Sequence, residues 1–310
     1  MTVHFFGGRH FDRAADLRGR LAELGEILSG PDARLIPMHR GRNLLRRGET
    51  LTAAHVPVDA WPDVATDPGN CVLLGRHLEH FCFAIDLSHL PEETLAEHGK
   101  LADLRTSGPM LTDDDAALLA CARALLLWHR DHRFCGRCGA PNEVHSGGHI
   151  LRCSSADCGR SQFPRIDPAI IVLVDDGPRC LLGRQASWPP NRYSTIAGFV
   201  EPGESLEDAV AREVEEETGV KVRDAGYHSS QPWPFPSSLM LGFHAKATDT
   251  TITLQDDELE DARWFSRRDI LEGRVKLPPR VSISFRLIEE WFDQGSEGRL
   301  LERLPSAGSW

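Results

Sequence analysis

The chain has 310 residues, enough for two or three domains that each bury their own core. Its 41% apolar and 26% charged residues are ordinary for a globular protein. Its longest apolar run, 169–174, is too short to span a membrane. A net charge of −11 opposes binding along a nucleic-acid backbone but allows a nucleotide held by metal ions. Residues 1–13 lack the apolar core of a secretory signal, so we expect a cytoplasmic protein.

Residues 1–125 carry no catalytic signature, and their mixed pattern predicts an α/β N-terminal domain. Apolar runs at 71–74 and 81–87 indicate strands, and the spacing over 92–104 indicates a helix. Thr112 precedes three aspartates, which predicts a helix start, because threonine caps a first turn and acidic residues suit the positive end of the helix dipole. We expect that helix to cover 116–128 and to lead into a second domain at 126–166.

The segment 126–166 holds four of the eight cysteines, in two pairs separated by fourteen residues. Two thiolate-bearing loops joined by a hairpin-length spacer can enclose Zn²⁺, whereas the alternative is four unrelated buried thiols. Four cysteines leave no open coordination position, so the spacing predicts one structural zinc ion per chain. The predicted ligands are Cys135, Cys138, Cys153 and Cys158. The remaining cysteines lie singly in apolar stretches and are predicted to be buried thiols: Cys71, Cys82, Cys121 and Cys180.

Strands and helices alternate from residue 167 onward, and we expect a catalytic domain over 167–310. Apolar runs predict strands at 169–174, 180–182, 195–200 and 239–245, and another that ends at Trp264. A helix is predicted at 206–217, where Ser205 with Asp208 forms a variant of the capping box and Gly219 ends the helix. A last amphipathic helix carries apolar residues at helical spacing: Val281, Phe285, Ile288 and Phe292.

The helix predicted at 206–217 is acidic, and its carboxylates fall on different faces. Glu213 and Glu217 continue the apolar stripe that begins with Leu206 and Val210, at the spacing i, i+4, i+7 and i+11. Glu216 lies beside them, whereas the remaining acidic side chains point elsewhere and are predicted to be solvated. A partly buried carboxylate pair about 4 Å apart costs roughly 4 kcal/mol at an effective dielectric near 20. A divalent cation converts this repulsion into ligation, and oxygen ligands favour Mg²⁺ or Mn²⁺.

The segment 198–220 matches the Nudix box, G-x5-E-x7-R-E-U-x-E-E-x-G-U with U a bulky apolar residue, and the chain resembles the Nudix hydrolase family. The resemblance implies an α+β fold, a Nudix αβα sandwich that here accompanies the zinc ribbon and the mixed N-terminal domain. It implies hydrolysis of a nucleoside diphosphate linkage, with Gly198 letting the backbone turn and one of the glutamates as general base. Carried over by position, the catalytic residues are Arg212, Glu216 and Glu217, and the Mg²⁺ or Mn²⁺ ligands are Ala197, Glu213 and Glu217.

Residues 230–238 read S-Q-P-W-P-F-P-S-S, and the alternating prolines predict a stiff loop. Trp233 and Phe235 have two open roles, packing in a core or stacking on a flat heterocycle. The nonapeptide resembles the signature of the NADH pyrophosphatase branch of the Nudix family, which also carries a zinc ribbon. The resemblance implies a substrate pocket lined by Phe163, Phe199, Gln231, Pro232, Trp233, Pro234, Phe235, Pro236, Ser237 and Ser238.

A late acidic residue completes the set that the resemblance implies. Glu258 lies six residues before Trp264, the family's offset for a further metal ligand, and Asp257 and Glu260 are the alternatives. Two departures from the branch are visible. The second cysteine pair encloses four residues where relatives commonly have two, and Phe163 stands where relatives often have tyrosine.

The resemblance implies hydrolysis of NADH or NAD to nicotinamide mononucleotide and AMP by a homodimer with shared active sites. The branch includes enzymes that remove NAD caps from RNA 5′ ends, and the charge of −11 favours recognition of such an end over the RNA backbone. Two alternatives remain. An inactive zinc-ribbon protein that senses a nucleotide would be expected to have a degenerate box, and an ADP-ribose or coenzyme A diphosphatase would lack the 230–238 signature.

Overall fold

The computed structural model describes residues 4–8, 11–62, 68–254 and 258–304. The chain divides into two compact units. The N-terminal unit comprises 6–166 together with 233–237, and the C-terminal unit comprises the remaining described residues.

The larger sheet of the N-terminal unit has seven strands. They are β1 (Ala33–His39), β2 (Arg42–Arg47), β3 (Leu51–Ala53), β4 (Val56–Pro57), β5 (Cys71–His77), β6 (His80–Asp86) and β7 (Lys100–Ala102). The order is β3-β2-β1-β6-β5, with β4 also paired to β1 and β7 to β2. The pair β1 and β6 is parallel and the other pairs are antiparallel. The strands predicted at 71–74 and 81–87 are confirmed as β5 and β6.

Helices pack against this sheet. They are α1 (Leu21–Leu28), α2 (Leu104–Ser107) and α3 (Asp113–Asp131). Leu24 and Leu28 of α1 join a core with Leu73 and Phe83, while α3 contacts β1, β5 and β6. The Thr112 side chain accepts a hydrogen bond from the third backbone N–H of α3, which confirms the predicted helix start. In the ranges that the structure describes, no helix is long and apolar enough to cross a membrane.

The helix predicted over 92–104 is wrong. The structure has a short 3₁₀ turn at Glu92–Leu95, then β7, and then the separate helix α2. The residues of β7 pair with β2, with Asn43 opposite Ala102, so sheet pairing outweighs the local helical spacing. Asp103 caps α2 by accepting the backbone N–H groups of Arg105 and Thr106, which makes that helix a new start.

A small antiparallel sheet completes the N-terminal unit. Its strands are β8 (Asn142–His145), β9 (Ile150–Cys153) and β10 (Ser161–Gln162), in the order β10-β9-β8. In sequence, β8 lies between the two cysteine pairs, β9 ends at Cys153 and β10 follows Cys158, so the four thiols described below lie at the ends of this sheet's strands and in the adjoining turns.

The C-terminal unit is a sandwich of helices on both faces of one sheet. Its strands are β11 (Asp167–Asp175), β12 (Arg179–Arg184), β13 (Ile196–Phe199), β14 (Val222–Trp233), β15 (Ser238–Ala247) and β16 (Asp261–Ser266). The order is β14-β15-β11-β12-β16, and β13 also pairs with β11. Its helices are α4 (Leu206–Thr218), α5 (Arg267–Leu271), α6 (Ile283–Asp293) and α7 (Leu300–Arg303).

Alternate side chains of β11 enter two different cores. Ile170 and Val172 pack with Val210 of α4 on one face, whereas Ile171 packs with Phe285 of α6 on the other. A strand covered on both faces is apolar throughout, which explains the unbroken run at 169–174. The αβα sandwich expected of this half is therefore confirmed.

The segment 230–238 is less loop-like than its prolines predict. β14 continues through Pro232 to Trp233, and only 234–237 form the turn into β15. β14 is the edge strand of its sheet, where a proline that lacks an N–H is tolerated.

Candidate active site

The acidic helix α4 buries two carboxylates. Ser205 and Asp208 form the predicted capping box at its start, and Gly219, with φ of 73°, ends it in the left-handed conformation. Glu213 and Glu217 are 8% and 3% exposed, on the same face as the apolar core residues of the helix. The helical spacing thus predicted their face correctly.

Arg212 ties the acidic residues together. Its guanidinium donates to Glu204 at 2.7 Å, to Glu213 at 2.9 Å and to Glu216 at 3.0 Å. The same guanidinium donates to the backbone carbonyl of Phe199 at 2.9 Å, at the end of β13. These hydrogen bonds, with that to Glu204 the strongest, raise the pKa of Arg212, so the side chain stays a fixed cation among carboxylates.

Gly198 is required for a different reason from the one expected. It lies within β13, opposite Ile170, and not in a turn. A Cβ atom built on Gly198 would fall on the carboxyl group of Glu213. The absence of a side chain therefore makes room for the buried carboxylate, which passes directly over the strand. Its neighbour Ala197 is paired with Ile171 in the same strand.

The charge of Glu258 is among the effects that shift the pKa of Glu213. Burial raises the pKa of Glu213, the hydrogen bond from Arg212 opposes this, and the charges of Glu216 and Glu258 raise it again. Of the two alternatives to Glu258, Glu260 forms an ion pair with Arg184, and Asp257 lies outside the described residues. Among the described candidates, Glu258 is thus the one whose charge acts on the buried cluster.

Glu204 was quoted in the box but given no role. Its side chain is 15% exposed and accepts two hydrogen bonds from Arg212. These hydrogen bonds, together with a backbone N–H from Glu201, lower the pKa of Glu204. Its fixed spacing from Gly198 was the signal that could have identified it as the anchor of Arg212.

Gln231 lies in a buried hydrogen-bond network. It is fully buried, its amide donates to the carbonyls of Phe5 and Val281, and its oxygen accepts the backbone N–H of Ile283. These three partners are backbone groups of the C-terminal unit. The side chain therefore ties β14 to the start of α6.

Trp233 and Phe235 lie against each other in the N-terminal unit. Their ring centroids are 5.2 Å apart, and Phe6 meets the two rings edge-on at 6.0 and 5.7 Å. The guanidinium of Arg105 lies over both rings, 4.9 Å from the centroid of Phe235. Both rings are half-buried, so the packing role weighed in the sequence has a physical basis here.

The other residues of the expected pocket are more open. Phe163 is 65% exposed and Phe199 is 60% exposed. Large apolar rings with this exposure are free to stack on a ligand. The remaining members are half-buried or exposed, except Pro234, which is buried: Pro232, Pro234, Pro236, Ser237 and Ser238.

The four predicted zinc ligands come together in the ribbon. Their sulfur atoms lie within 4.8 Å of one another, with Cys138 and Cys153 at 3.4 Å and Cys135 and Cys158 at 3.9 Å. The four are free thiols. Backbone N–H groups of Arg137 and Cys138 lower the pKa of Cys135 to about 6. The donor set of four sulfur atoms fits a closed structural Zn²⁺ site.

The chain matches three known domain families. The NADH pyrophosphatase-like rudimentary NUDIX domain matches residues 32–128, the NADH pyrophosphatase zinc ribbon domain 130–163, and the NUDIX domain 164–288. The NAD-capped RNA hydrolase NudC of Mycobacterium bovis is 38% identical over 297 residues, which cover 90% of this chain and 92% of that protein.

A second set of relatives is longer than this chain. The NAD-capped RNA hydrolase NUDT12 of Homo sapiens is 43% identical over 196 residues, which cover 58% of this chain and 42% of that protein. The chain thus matches less than half the length of such primate relatives. The fold, the box and these matches show that the chain belongs to the Nudix hydrolase family. Within it, the chain belongs to the zinc-ribbon-containing NADH pyrophosphatase branch.

Proposed function

We propose that this protein is a metal-dependent diphosphatase that hydrolyses NADH and NAD to nicotinamide mononucleotide and AMP. The observation that carries the proposal is the pair of buried carboxylates on α4, Glu213 and Glu217, held beside Arg212. Membership of the NADH pyrophosphatase branch supports the substrate class. The names of the relatives, NAD-capped RNA hydrolases, support removal of NAD caps from RNA as a second activity.

The catalytic cation of the proposal is Mg²⁺ or Mn²⁺. Glu213 and Glu217 would hold it, with the backbone carbonyl of Ala197 and the carboxylate of Glu258 as further oxygen donors. The fit rests on geometry, because the two carboxylates are 8% and 3% exposed on one face of α4, where a divalent cation would relieve their mutual repulsion. When bound, such ions neutralise the diphosphate and lower the pKa of the attacking water.

The protein's own residues supply position and proton transfer. Arg212 fixes Glu213 and Glu216 through one nitrogen and anchors itself on Glu204 and the Phe199 carbonyl. The Glu216 side chain is 57% exposed, so its carboxylate is accessible to a substrate and can accept a proton from water. We assign catalytic roles to Arg212, Glu216 and Glu217.

For the substrate, we propose that the exposed rings of Phe199 and Phe163 and residues 231–238 recognise the groups that flank the diphosphate. An aromatic platform suits the flat nicotinamide and adenine rings. Substrate RNA would be bound at its 5′ end, since the charge of −11 opposes backbone binding.

The wider organisation is proposed on the same family resemblance. We expect a cytoplasmic homodimer in which the two chains share active sites. We further propose three domains, an N-terminal domain at 1–125, the zinc ribbon at 126–166 and the catalytic domain at 167–310.

The test is a comparison of the wild type with Glu217→Gln and the control Glu215→Gln on the same helix, where Glu215 is exposed. Rates are measured on NADH, NAD, NAD-capped RNA and ADP-ribose, with products identified. We expect Glu217→Gln to lower turnover at least about a hundredfold through lost charge stabilisation, with folding intact and the control near normal. Near-normal turnover in Glu217→Gln would contradict the metal assignment. A preference for ADP-ribose would favour the alternative diphosphatase, and no hydrolysis by the wild type would favour the nucleotide sensor.

A further inference from the structure

A second cluster of metal-binding side chains lies in the N-terminal unit, apart in sequence from both the ribbon and the Nudix box. His55, His77 and Cys82 each offer one ligand atom, and these atoms all lie within 4.8 Å of one another. His55 immediately precedes β4, His77 ends β5, and Cys82 lies in β6. Sheet pairing alone brings together three residues that no sequence spacing connects.

The distances suit coordination by a small cation. The Cys82 sulfur is 3.8 Å from Nδ1 of His55, and the rings of His55 and His77 stack with centroids 5.2 Å apart. Zn–S and Zn–N bonds of about 2.3 and 2.0–2.1 Å at a tetrahedral angle separate sulfur from nitrogen by about 3.6 Å. The observed 3.8 Å therefore needs only a small contraction.

The cluster also has unsatisfied polar atoms. Cys82 is fully buried and His77 is 6% exposed, yet neither ring nitrogen of His77 has a hydrogen-bond partner. Nε2 of His55 is likewise buried and unpaired. Buried polar groups in native proteins are nearly always hydrogen-bonded or bound to a metal. A buried imidazole with both nitrogens unpaired, beside a buried thiol and a half-buried second imidazole, is therefore a candidate to bind an ion.

Two other histidines of this unit, the buried His39 and the half-buried His129, serve as comparisons for His77. Nε2 of His39 lies 3.0 Å from the carbonyl of Leu90, and Nε2 of His129 lies 2.7 Å from the carbonyl of Gly148. Each of these rings has a backbone partner. Nδ1 of His39 is also unpaired, whereas His77 has no hydrogen-bond partner on either ring nitrogen.

A buried carboxylate lies near the ring nitrogen of His55 that faces away from Cys82. Asp115, in the first turn of α3, is 6% exposed, and its oxygen is 3.9 Å from Nε2 of His55. Nε2 is the ring nitrogen opposite the one that faces Cys82. A carboxylate on the far nitrogen of a metal-bound histidine is the usual arrangement that fixes ring orientation.

We propose that His55, His77 and Cys82 form a second zinc-binding site, in which Asp115 orients His55. One thiolate with two imidazoles selects Zn²⁺ over Mg²⁺ or Mn²⁺, which prefer oxygen ligands. Binding deprotonates the Cys82 thiol and releases that proton to solvent. The ion links the chain before β4 to the β5–β6 hairpin, with Asp115 as the contact to α3.

The first test counts zinc in the purified full-length chain after removal of loosely bound metal. We expect two zinc ions per chain, one of which is lost in His77→Gln or Cys82→Ala and the other in Cys135→Ser. Cys71→Ala is the matched control, since Cys71 is a buried thiol of the neighbouring strand outside the cluster, and it should keep both ions. A single zinc in the wild type, or a second zinc that survives in both cluster variants, would overturn the proposal.

Two further measurements guard against variants that misfold. Zinc-edge X-ray absorption of the unmutated protein should show nitrogen as well as sulfur ligands. An all-sulfur shell would mean that only the ribbon binds zinc, and it would reject the second site. Asp115→Asn should weaken zinc retention at one of the two ions by about tenfold to a hundredfold in a chelator competition. His244→Gln, in a separate cluster with His228 and Glu290, should not. Equal effects of these two variants would remove the orienting role of Asp115.

Discussion

Glu213 and Glu217 occupy positions on α4 at which a helix in an αβα sandwich ordinarily places apolar side chains. Their burial follows directly from the helical spacing that sets them in line with Leu206 and Val210. Burial raises the pKa of Glu213, and buried groups with shifted pKa values are candidates for functional sites, as proposed above.

The first prediction at this scale concerns Gly198. Gly198→Ala places a Cβ on the carboxyl group of Glu213, so the carboxylate or the strand must shift. A misplacement of about 1 Å at a catalytic centre can cost about a hundredfold, and we expect a loss of that order in kcat. Gly226→Ala is the control, because a Cβ there meets nothing closer than 4.0 Å. Steady-state kinetics in which both variants match the wild type would disprove the close-packing argument.

The second residue-scale prediction concerns pH and metal. A raised pKa means that folded protein holds the Glu213 proton more tightly than the unfolded chain does. The contribution of Glu213 to stability therefore falls as pH rises from the ordinary glutamate pKa of 4.5 through the raised pKa of the folded state, and at neutral pH it is unfavourable. In metal-free protein at pH 7, Glu213→Gln should unfold at a higher temperature than the wild type.

Thermal unfolding with and without Mg²⁺ tests whether the charged Glu213 side chain destabilises the metal-free protein. Mg²⁺ should raise the unfolding temperature of the wild type, because it binds the folded state only, and should have much less effect on Glu213→Gln. Glu215→Gln, at an exposed position, should respond to Mg²⁺ as the wild type does. A metal-free Glu213→Gln protein that is less stable than the wild type would show that the pairing with Arg212 outweighs the burial.

Local signals were sufficient for some residues and insufficient for others. The spacing in the box placed Glu213 and Glu217 on the buried face, since a helix places them by geometry alone, whereas Glu204 was missed as a partner of Arg212. The requirement for Gly198 was misjudged because it depends on how closely α4 approaches β13, which no local pattern reports. The hydrogen bonds of Gln231 to Phe5 and Val281 depend on tertiary packing in the same way.

At the scale of elements, the zinc ribbon gives the third prediction. Cys135→Ser should remove the ribbon's zinc ion and destabilise 126–166, because metal binding there supplies folding free energy. Cys180→Ser is the control, since Cys180 is a buried thiol of the C-terminal unit. Metal analysis and limited proteolysis of both proteins provide the measurement. Unchanged zinc content and protease resistance in Cys135→Ser would refute the structural role.

The turn between β14 and β15 gives the fourth prediction. Stacking of an aromatic ring on a base is worth roughly 1–3 kcal/mol, so Trp233→Ala should slow NADH hydrolysis by about tenfold to a hundredfold if the ring contacts substrate. ADP-ribose, which lacks the nicotinamide, should be affected less. If Trp233 only packs against Phe6 and Phe235, its replacement should instead lower the unfolding temperature and slow the hydrolysis of both substrates equally. Kinetics on both substrates with a melting curve separate the two roles.

Elements were predictable where local and tertiary preferences agree. The unbroken apolar run of β11 and the capped, periodic α3 and α4 carry strong local signals, and the structure has all three. The segment 92–104 failed because β7 is a strand only through its pairing with β2. Pro232 misled in the same manner, because a proline is acceptable in β14 only by virtue of its place at the sheet edge.

At the scale of the whole molecule, the sequence was most informative where chemistry imposes spacing. The ribbon and the box have fixed offsets and were read directly, and the C-terminal sandwich followed from the box. Most strands of the N-terminal unit were missed, because pairing within a seven-stranded sheet stabilises them and their local sequence pattern is weak. The cluster of His55, His77 and Cys82 has no sequence signature for the same reason, since sheet register alone assembles it.

The last prediction concerns assembly. A Nudix metal centre holds a diphosphate but selects poorly among the groups that flank it, so a shared pocket in a homodimer would supply the missing recognition. Mixing a Glu217→Gln chain with a Trp233→Ala chain tests this, provided that Trp233→Ala alone is impaired on NADH. With shared pockets, a hybrid dimer has one pocket in which both residues are intact, so the activity of the mixture should exceed that of either parent.

Subunit exchange is followed with differently tagged chains, and sedimentation gives the oligomeric state. If tagged chains exchange and activity does not recover, each pocket is built within one chain; a monomer in sedimentation would reject the dimer itself.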